Sequence, residues 1–574
     1  MCGTCMTSCA PPKRPAPSAG IGTATETGIG RETETAIGIA IATGIDRAQP
    51  QEEERMMTRL RRGVLVPLAT LAAGLAFLGP TRAEGASLLY ALDSNPRTLD
   101  PAKSDISTAN IVIWHLTESL VAADADGTIR PALATAWTVS DDGRTWTFRL
   151  REGVRFHDGT PFDAGAVRFN FLRQMAPAPA GPGKTLPYLY GEFLEIVDRV
   201  EALDARTVRL VLKHPYGPLL NTMANNYGPM AFVSPAAYGQ EGETYGKRPV
   251  GTGPFKFERW VERQEIVLEA NRDYWAGPPR LERVTFVIVP DAAERVRRLL
   301  DGGVHVITDF SPHEVERIVA TPTLEFLPVA RPRVEYLGIS NHLKPYTDAR
   351  VRRAVAHAIN VDRTVLYLTR GTAIPAHGPM PPGVGGYDPT ARQASYDPVR
   401  ARALLAEAGL PQGFRTSLMT YAFIPGRLEL GRAIQADLEK VGIQVDFIPA
   451  RNWDEVYAVL ERDIPLLFTD GWTADFMDPD NVLFTLFYSK SPSNYTKYRN
   501  PEVDALLLRA RKSAREEERT ALYQEIQRRV VGEAPSIFLS HPYVLAAHAK
   551  TVRGLTLNML KRPVDRLRDV EVSP

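Results

Sequence analysis

The sequence predicts an α/β protein of two lobes with a cleft between them, and two patterns point there. From residue 88 to about 290, short alternating strands pair through turns, as in mixed sheets. From 340 to 540, strands alternate with helices, which builds a largely parallel sheet. A chain of 574 residues, 44% hydrophobic and 24% charged, has ordinary globular composition and divides into two or three core-bearing units.

The N-terminal region stands apart. Residues 1–55 repeat Gly-Ile-Gly and Thr-Glu-Thr units almost without aromatics. Such a stretch buries too little apolar surface to offset its ordering entropy, so a disordered or non-native extension is expected. A second start at Met56-Met57 opens residues 56–83, which have the layout of a secretory signal peptide. Basic Arg59, Arg61 and Arg62 precede an apolar run from Val64 to Leu78; Gly79-Pro80 breaks it and small Ala83 ends the segment. The run of 15 residues is shorter than the roughly 20 needed to span a bilayer. Export to the periplasm as a soluble protein is therefore expected. Cys2, Cys5 and Cys9 all precede this segment, so the exported body has no thiol for a disulfide, a nucleophile or a metal.

In the body, Leu88–Leu92 reads as a strand ending in the turn Asp93-Ser94-Asn95-Pro96. Ile111–Val121 carries apolar residues at helical spacing. Thr135–Val139 and Thr145–Leu150 alternate apolar with polar around Asp141-Asp142-Gly143, a hairpin pattern, and Val200–Leu203 pairs likewise with Val208–Leu212. Strands follow near Phe255–Trp260, Ile266–Glu269 and Val284–Val289. Beyond them, helices are expected over Val351–Ile359, Val399–Glu407, Leu428–Val441, Trp453–Glu461, Pro501–Ala514 and Glu516–Val531. Strands are expected at Tyr336–Ile339, Thr416–Thr420, Gln444–Ile448 and Pro465–Phe468.

Composition narrows function. Lys+Arg total 68 against Asp+Glu 67, which gives no electrostatic case for nucleic acid. No Gly-x-Ser-x-Gly elbow, Walker A loop or His-Glu-x-x-His motif is present, so no enzyme is expected. None of the ten histidines pair at metal-ligand spacing, and neither a metal site nor a cofactor is expected. His115 and His357 read as core histidines and His157 as a turn residue. Trp137, Trp146, Phe148, Phe156, Tyr274 and Trp275 read as core or turn packing.

Nine short blocks then occur in a recognisable order. They are Asn95–Pro101, Trp146–Val154, Phe156–Phe162, Gly251-Thr-Gly-Pro-Phe255, Asn271–Pro279, Asp348–Ala354, Tyr396–Pro398, Gly471-Trp-Thr-Ala-Asp475 and Asp478-Pro-Asp-Asn481. Together they resemble the family-5 extracellular solute-binding proteins of bacterial ABC importers, over essentially all of residues 88–574. The resemblance implies a two-lobed binding-protein fold with mixed sheets, three subdomains and a hinge. It implies lobe 1 over 84–340 with an inserted subdomain at about 124–245, lobe 2 over 341–541, and a return to lobe 1 over 542–574. The expected crossings lie near Tyr336–Asn341 and His541–His548. A monomer is expected that captures a small peptide or peptide-like ligand and delivers it to the transmembrane permease subunits. A nickel or metallophore ligand is the alternative within the same family.

The resemblance also indicates where the ligand sits. Strand Pro465–Phe468 runs into Gly471, where a backbone can approach a guest, and ligands collect beyond the carboxyl ends of strands in open α/β sheets. In peptide-binding relatives this main chain pairs with an extended peptide like an added strand. The aspartate matching Asp475 accepts the peptide's ammonium group, with Trp472 as apolar wall and Thr473 beside it. Helix capping is the plainer reading of Asp475, and it is adopted here for Asp478 and Asp480. An arginine that some oligopeptide binders place six residues before the aspartate is Thr469 here. Arg427 is the candidate carboxylate clamp, with a solvated surface arginine as its alternative.

Overall fold

A computed structural model describes residues 86–573, apart from 105–106, 125–126, 176–190, 227, 425 and 463. The N-terminal extension, the signal-peptide segment and the three cysteines lie outside the described residues.

The hairpin forms with the expected partners. Ala134–Val139 pairs antiparallel with Thr145–Leu150, with Trp137 opposite Phe148 and Val139 opposite Trp146. Thr207–Leu212 and Val197–Asp204 extend this into a four-stranded sheet. The alternation works as it should: Trp146, Phe148, Val208 and Leu210 turn inward onto helix Ala164–Met175 and form one core.

The larger sheet has twelve strands and is organised by one of them. Strand Ser536–Ala549 is 14 residues long. Its first half pairs antiparallel with Arg333–Ile339 and Ala373–Pro375, and its second half with Val306–Thr308 and Leu324–Ala330. The sheet therefore has two wings. In one, Ser87–Leu92 runs parallel to Arg283–Ile288, which pairs on toward Glu265–Ala270 and Phe255–Val261. In the other, Phe414–Tyr421 lies between Ile443–Ala450 and Leu466–Thr473, parallel to both. Separate cores back the wings, around Tyr90 and Phe286 in the first and around Phe468 and Leu467 in the second.

The chain passes between the wings at Arg331–Pro332, where the Arg331 N–H donates to the Pro542 carbonyl (3.1 Å). This lies ahead of the expected crossing at Tyr336–Asn341. By Tyr336 the chain is already a strand of the second wing, opposite Asp470 on one side and Phe538 on the other. The glycines of Gly251-Thr-Gly-Pro let two stretches of main chain come together. A side chain at 251 or 253 would overlap the main chain of His115 and Leu116. The Gly253 N–H donates to Leu116 O at 2.9 Å. Close approach is what excludes larger residues there.

Candidate ligand-binding site

The second wing presents its carboxyl ends to one place. Strand Phe414–Tyr421 leads into helix Arg427–Glu439, strand Ile443–Ala450 into helix Trp453–Leu460, and Leu466–Thr473 into the loop before helix Pro479–Phe487. All three strands are parallel, so Tyr421, Arg427, Trp453 and the stretch Asp470–Asp475 collect at one edge. The antiparallel neighbour begins there and adds Arg333 and Glu335.

Strand Leu466–Thr473 is laddered on both sides only as far as Phe468, where its pairing with Met419 ends. From Thr469 to Thr473 the described ladder partners lie on one side only, in Arg333–Leu337. Beyond Thr469, the edge from Asp470 to Thr473 has no second ladder among the described residues, the feature strand addition requires. Thr469 itself is buried, and its hydroxyl lies 2.9 Å from that of Thr420.

The expected site residues divide into two groups. Trp472 is half-buried, and its indole donates to Asn481 Oδ1 (3.1 Å). The same Asn481 oxygen accepts the Asp475 backbone N–H at 3.1 Å, so one first-turn asparagine sets the posture of both residues. The Asp475 carboxyl is exposed to solvent, yet desolvation raises its pKa above 3.8, opposed by the Asn481 hydrogen bond. No cation pairs with it among the described residues.

Gly471, Thr473 and Arg427 form the second group, knit together by charge. The volume over Gly471 is taken by the Arg333 and Glu335 side chains, so its missing side chain makes room for them. Arg333 Nε donates to Glu335 (2.6 Å) and Nη1 to the Thr473 hydroxyl (2.8 Å). Arg427 is buried and paired with the other Glu335 oxygen, which removes the reading of a solvated surface arginine. Burial opposes ionisation of Glu335, but Arg427 and Arg333 together hold its pKa below the usual range.

Several residues here carried no signal by spacing. Asp470 accepts from the Tyr336 hydroxyl (3.1 Å), and burial raises its pKa. At the rim, Trp453 packs 5.3 Å from both Tyr421 and Phe423. Phe423, Trp453 and Tyr457 remain 37%, 49% and 48% exposed, which forms an apolar lip beside the charged group. Their place after parallel strands was the available clue. Asp478 and Asp480 are, as expected, the N-cap and first-turn residues of helix Pro479–Phe487. His115 is fully buried beside Phe255 and Phe286, and burial lowers its pKa to about 3. Tyr274 and Trp275 donate to the buried Glu118 as well as packing together.

The model of bacterial extracellular solute-binding proteins, family 5, matches residues 128–494. The chain belongs to this family. Its relatives include di/tripeptide-binding protein 2 of Pseudomonas aeruginosa, 32% identical over 85% of this chain and 96% of the relative. HbpA2 of Haemophilus parasuis superposes with a TM-score of 0.79 at 27% identity, covering 85% of this chain and all of that one. The periplasmic binding protein DppA of Helicobacter pylori, solved with the peptide STSA, gives a TM-score of 0.67 at 30% identity over 85% of this chain and 98% of its own. This family-5 protein shares the two-lobed binding-protein fold of these neighbours. The relatives are binding proteins of transporters.

Proposed function

We propose that this chain captures a small peptide or peptide-like solute between its lobes and hands it to the permease subunits of an ABC importer. The observation that carries this reading is the pairing of an open strand edge, Asp470–Thr473, with Asp475 at its end, a carboxylate that has no cation among the described residues. Main-chain hydrogen bonds from such an edge accept any peptide regardless of side chain. A ligand ammonium at Asp475 would form a charge-assisted bond, about twice as strong as a neutral one. Arg427 backs the far end through Glu335. In this reading the protein works in the periplasm as a monomer after loss of residues 56–83, and it catalyses no reaction. The lobes divide near the proposed limits, with the first crossing at Arg331–Pro332, and close by hinge motion around the cargo.

The test is thermal melting of the exported protein with panels of dipeptides, tripeptides, amine-blocked peptides and nickel chelates. A cognate ligand raises the melting temperature by mass action, about 2.7 kcal/mol of stabilisation at a hundredfold excess over Kd. Free-amine peptides are expected to raise it and blocked ones not. A rise with nickel chelates alone would reject the peptide reading.

A further inference from the structure

Arg331 lies at the first crossing between the wings, and its backbone is fixed there. Its N–H donates to Pro542 O (3.1 Å), and its carbonyl accepts from the Arg333 N–H (2.7 Å). The side chain is half-buried and has no hydrogen bond or ion pair among the described residues. Every neighbouring carboxylate is already engaged. Asp309, from the first wing, binds Lys561 Nζ at 2.6 Å. Glu335, from the second, holds both Arg333 and Arg427. The basic groups differ equally clearly. Arg427 is 7% exposed, Arg333 is spent on Glu335 and Thr473, and Lys561 is spent on Asp309. Arg427 keeps one unpartnered nitrogen, Nη1, but it is buried; Arg331 keeps its whole guanidinium unengaged among the described residues, in a form suited to bidentate capture of a planar anion.

The charges that act on Arg331 come from both wings, Asp309 from the first and Arg333 and Glu335 from the second. Burial opposes the charge on Arg331 and lowers its pKa, with Asp309 offsetting this and Arg333 adding to it. A half-buried cation without a partner is costly, and an arriving anion would offset the cost.

Resting on the peptide reading above, we propose that Arg331 binds a carboxylate of the captured ligand and so sets a preference for ligands that carry one there. Asp475 would hold the ammonium and Arg331 the carboxylate, while Arg427 supports the site from behind through Glu335. The carboxylate has two possible sources, the peptide's C-terminus or an acidic side chain.

Titration calorimetry on the full exported chain and its Arg331→Gln variant separates these. The ligands are a neutral-side-chain peptide as free acid and as C-terminal amide, and its glutamate-containing counterpart in both forms. Losing a charged hydrogen-bond partner is worth about 1.5–3 kcal/mol, so R331Q is expected to weaken the carboxylate-bearing ligand about tenfold to a hundredfold. If the C-terminus is the source, the amides bind both proteins equally; if the side chain is, the neutral peptides do. Arg331→Lys should recover part of the loss. The melting temperature of ligand-free R331Q should not fall, which a structural role would not allow. Equal affinities of parent and R331Q for every ligand, or an equal loss for all of them, overturn the assignment. A parent that binds none of these peptides overturns the peptide reading and this assignment with it.

Discussion

Asp475 and Asp478 sit three positions apart in one loop, and their surroundings differ at every point. Asp478 is fully buried and saturated. Arg519 Nη2 reaches both its oxygens at 2.6 and 2.7 Å, Asn221 donates at 2.6 Å, and the Asp480 N–H closes the helix cap at 2.9 Å. Asp475 faces solvent and, among the described residues, accepts only from Asn481 and has no cation. An acid that holds the fold is surrounded by donors. The proposed ligand acid has no such shell. The same contrast separates Arg427, buried on Glu335, from Arg331, which has no side-chain partner among the described residues.

The sharpest way to break the comparison is Asp478→Ala. It leaves Arg519, whose side chain is 3% exposed, with only the longer pair to exposed Glu516 (3.4 Å), and it removes the helix cap. Removing one partner of a buried pair costs about 3–5 kcal/mol. The midpoint of urea unfolding should fall accordingly. A loss under about 1 kcal/mol would mean that Asp478 is no more structural than Asp475.

Asp475→Ala should do the converse. Its unfolding midpoint should stay near that of the parent, while peptides with a free amine lose about tenfold to a hundredfold in affinity, the worth of one charge-assisted bond. Amine-blocked peptides should be little affected. Calorimetry with matched peptide pairs reads this difference, and an equal loss for both members would make Asp475 a structural residue.

How much of this could be read in the sequence follows from the range of each cause. The division between Asp475 and Asp478 was visible because it is local: the helical pattern opens at Pro479, so Asp478 falls at the cap and Asp475 outside. The hairpin at Asp141-Asp142-Gly143 and the strands flanking it were visible for the same reason. The passage between the wings falls at Arg331–Pro332 because it is set by where strand Ser536–Ala549 changes partners, some 200 residues along the chain from Arg331. Arg427 looked like a possible surface residue because its partner Glu335 is 92 positions away. Asn481 was visible only as part of a motif; nothing in its spacing announced that one oxygen would orient both Trp472 and Asp475. Local chemistry announces itself in the chain, and pairings made by the fold do not.

The smallest expected effect follows from the proton on Asp475. Desolvation raises its folded pKa above 3.8, so the native state holds that proton more tightly than the unfolded chain does. The stability it contributes is therefore present at low pH and lost as pH rises through the raised folded value, and at neutral pH the ionised group is a slight burden. Asp475→Asn removes the burden. The variant should melt slightly above the parent at neutral pH, and the gap should close as pH falls below 3.8. Binding carries the opposite sign, because a ligand ammonium favours the ionised carboxylate. Affinity for free-amine peptides should thus decline as pH drops into the carboxyl's titration range, and the decline should be absent in Asp475→Asn. Asp478 offers the control. Its carboxylate already has its cation in Arg519, so a ligand's arrival should leave it unchanged. A parent whose affinity is flat across that range would mean that the ligand's amine is bound elsewhere, and that the bare carboxylate of Asp475 is left open for something other than an ammonium.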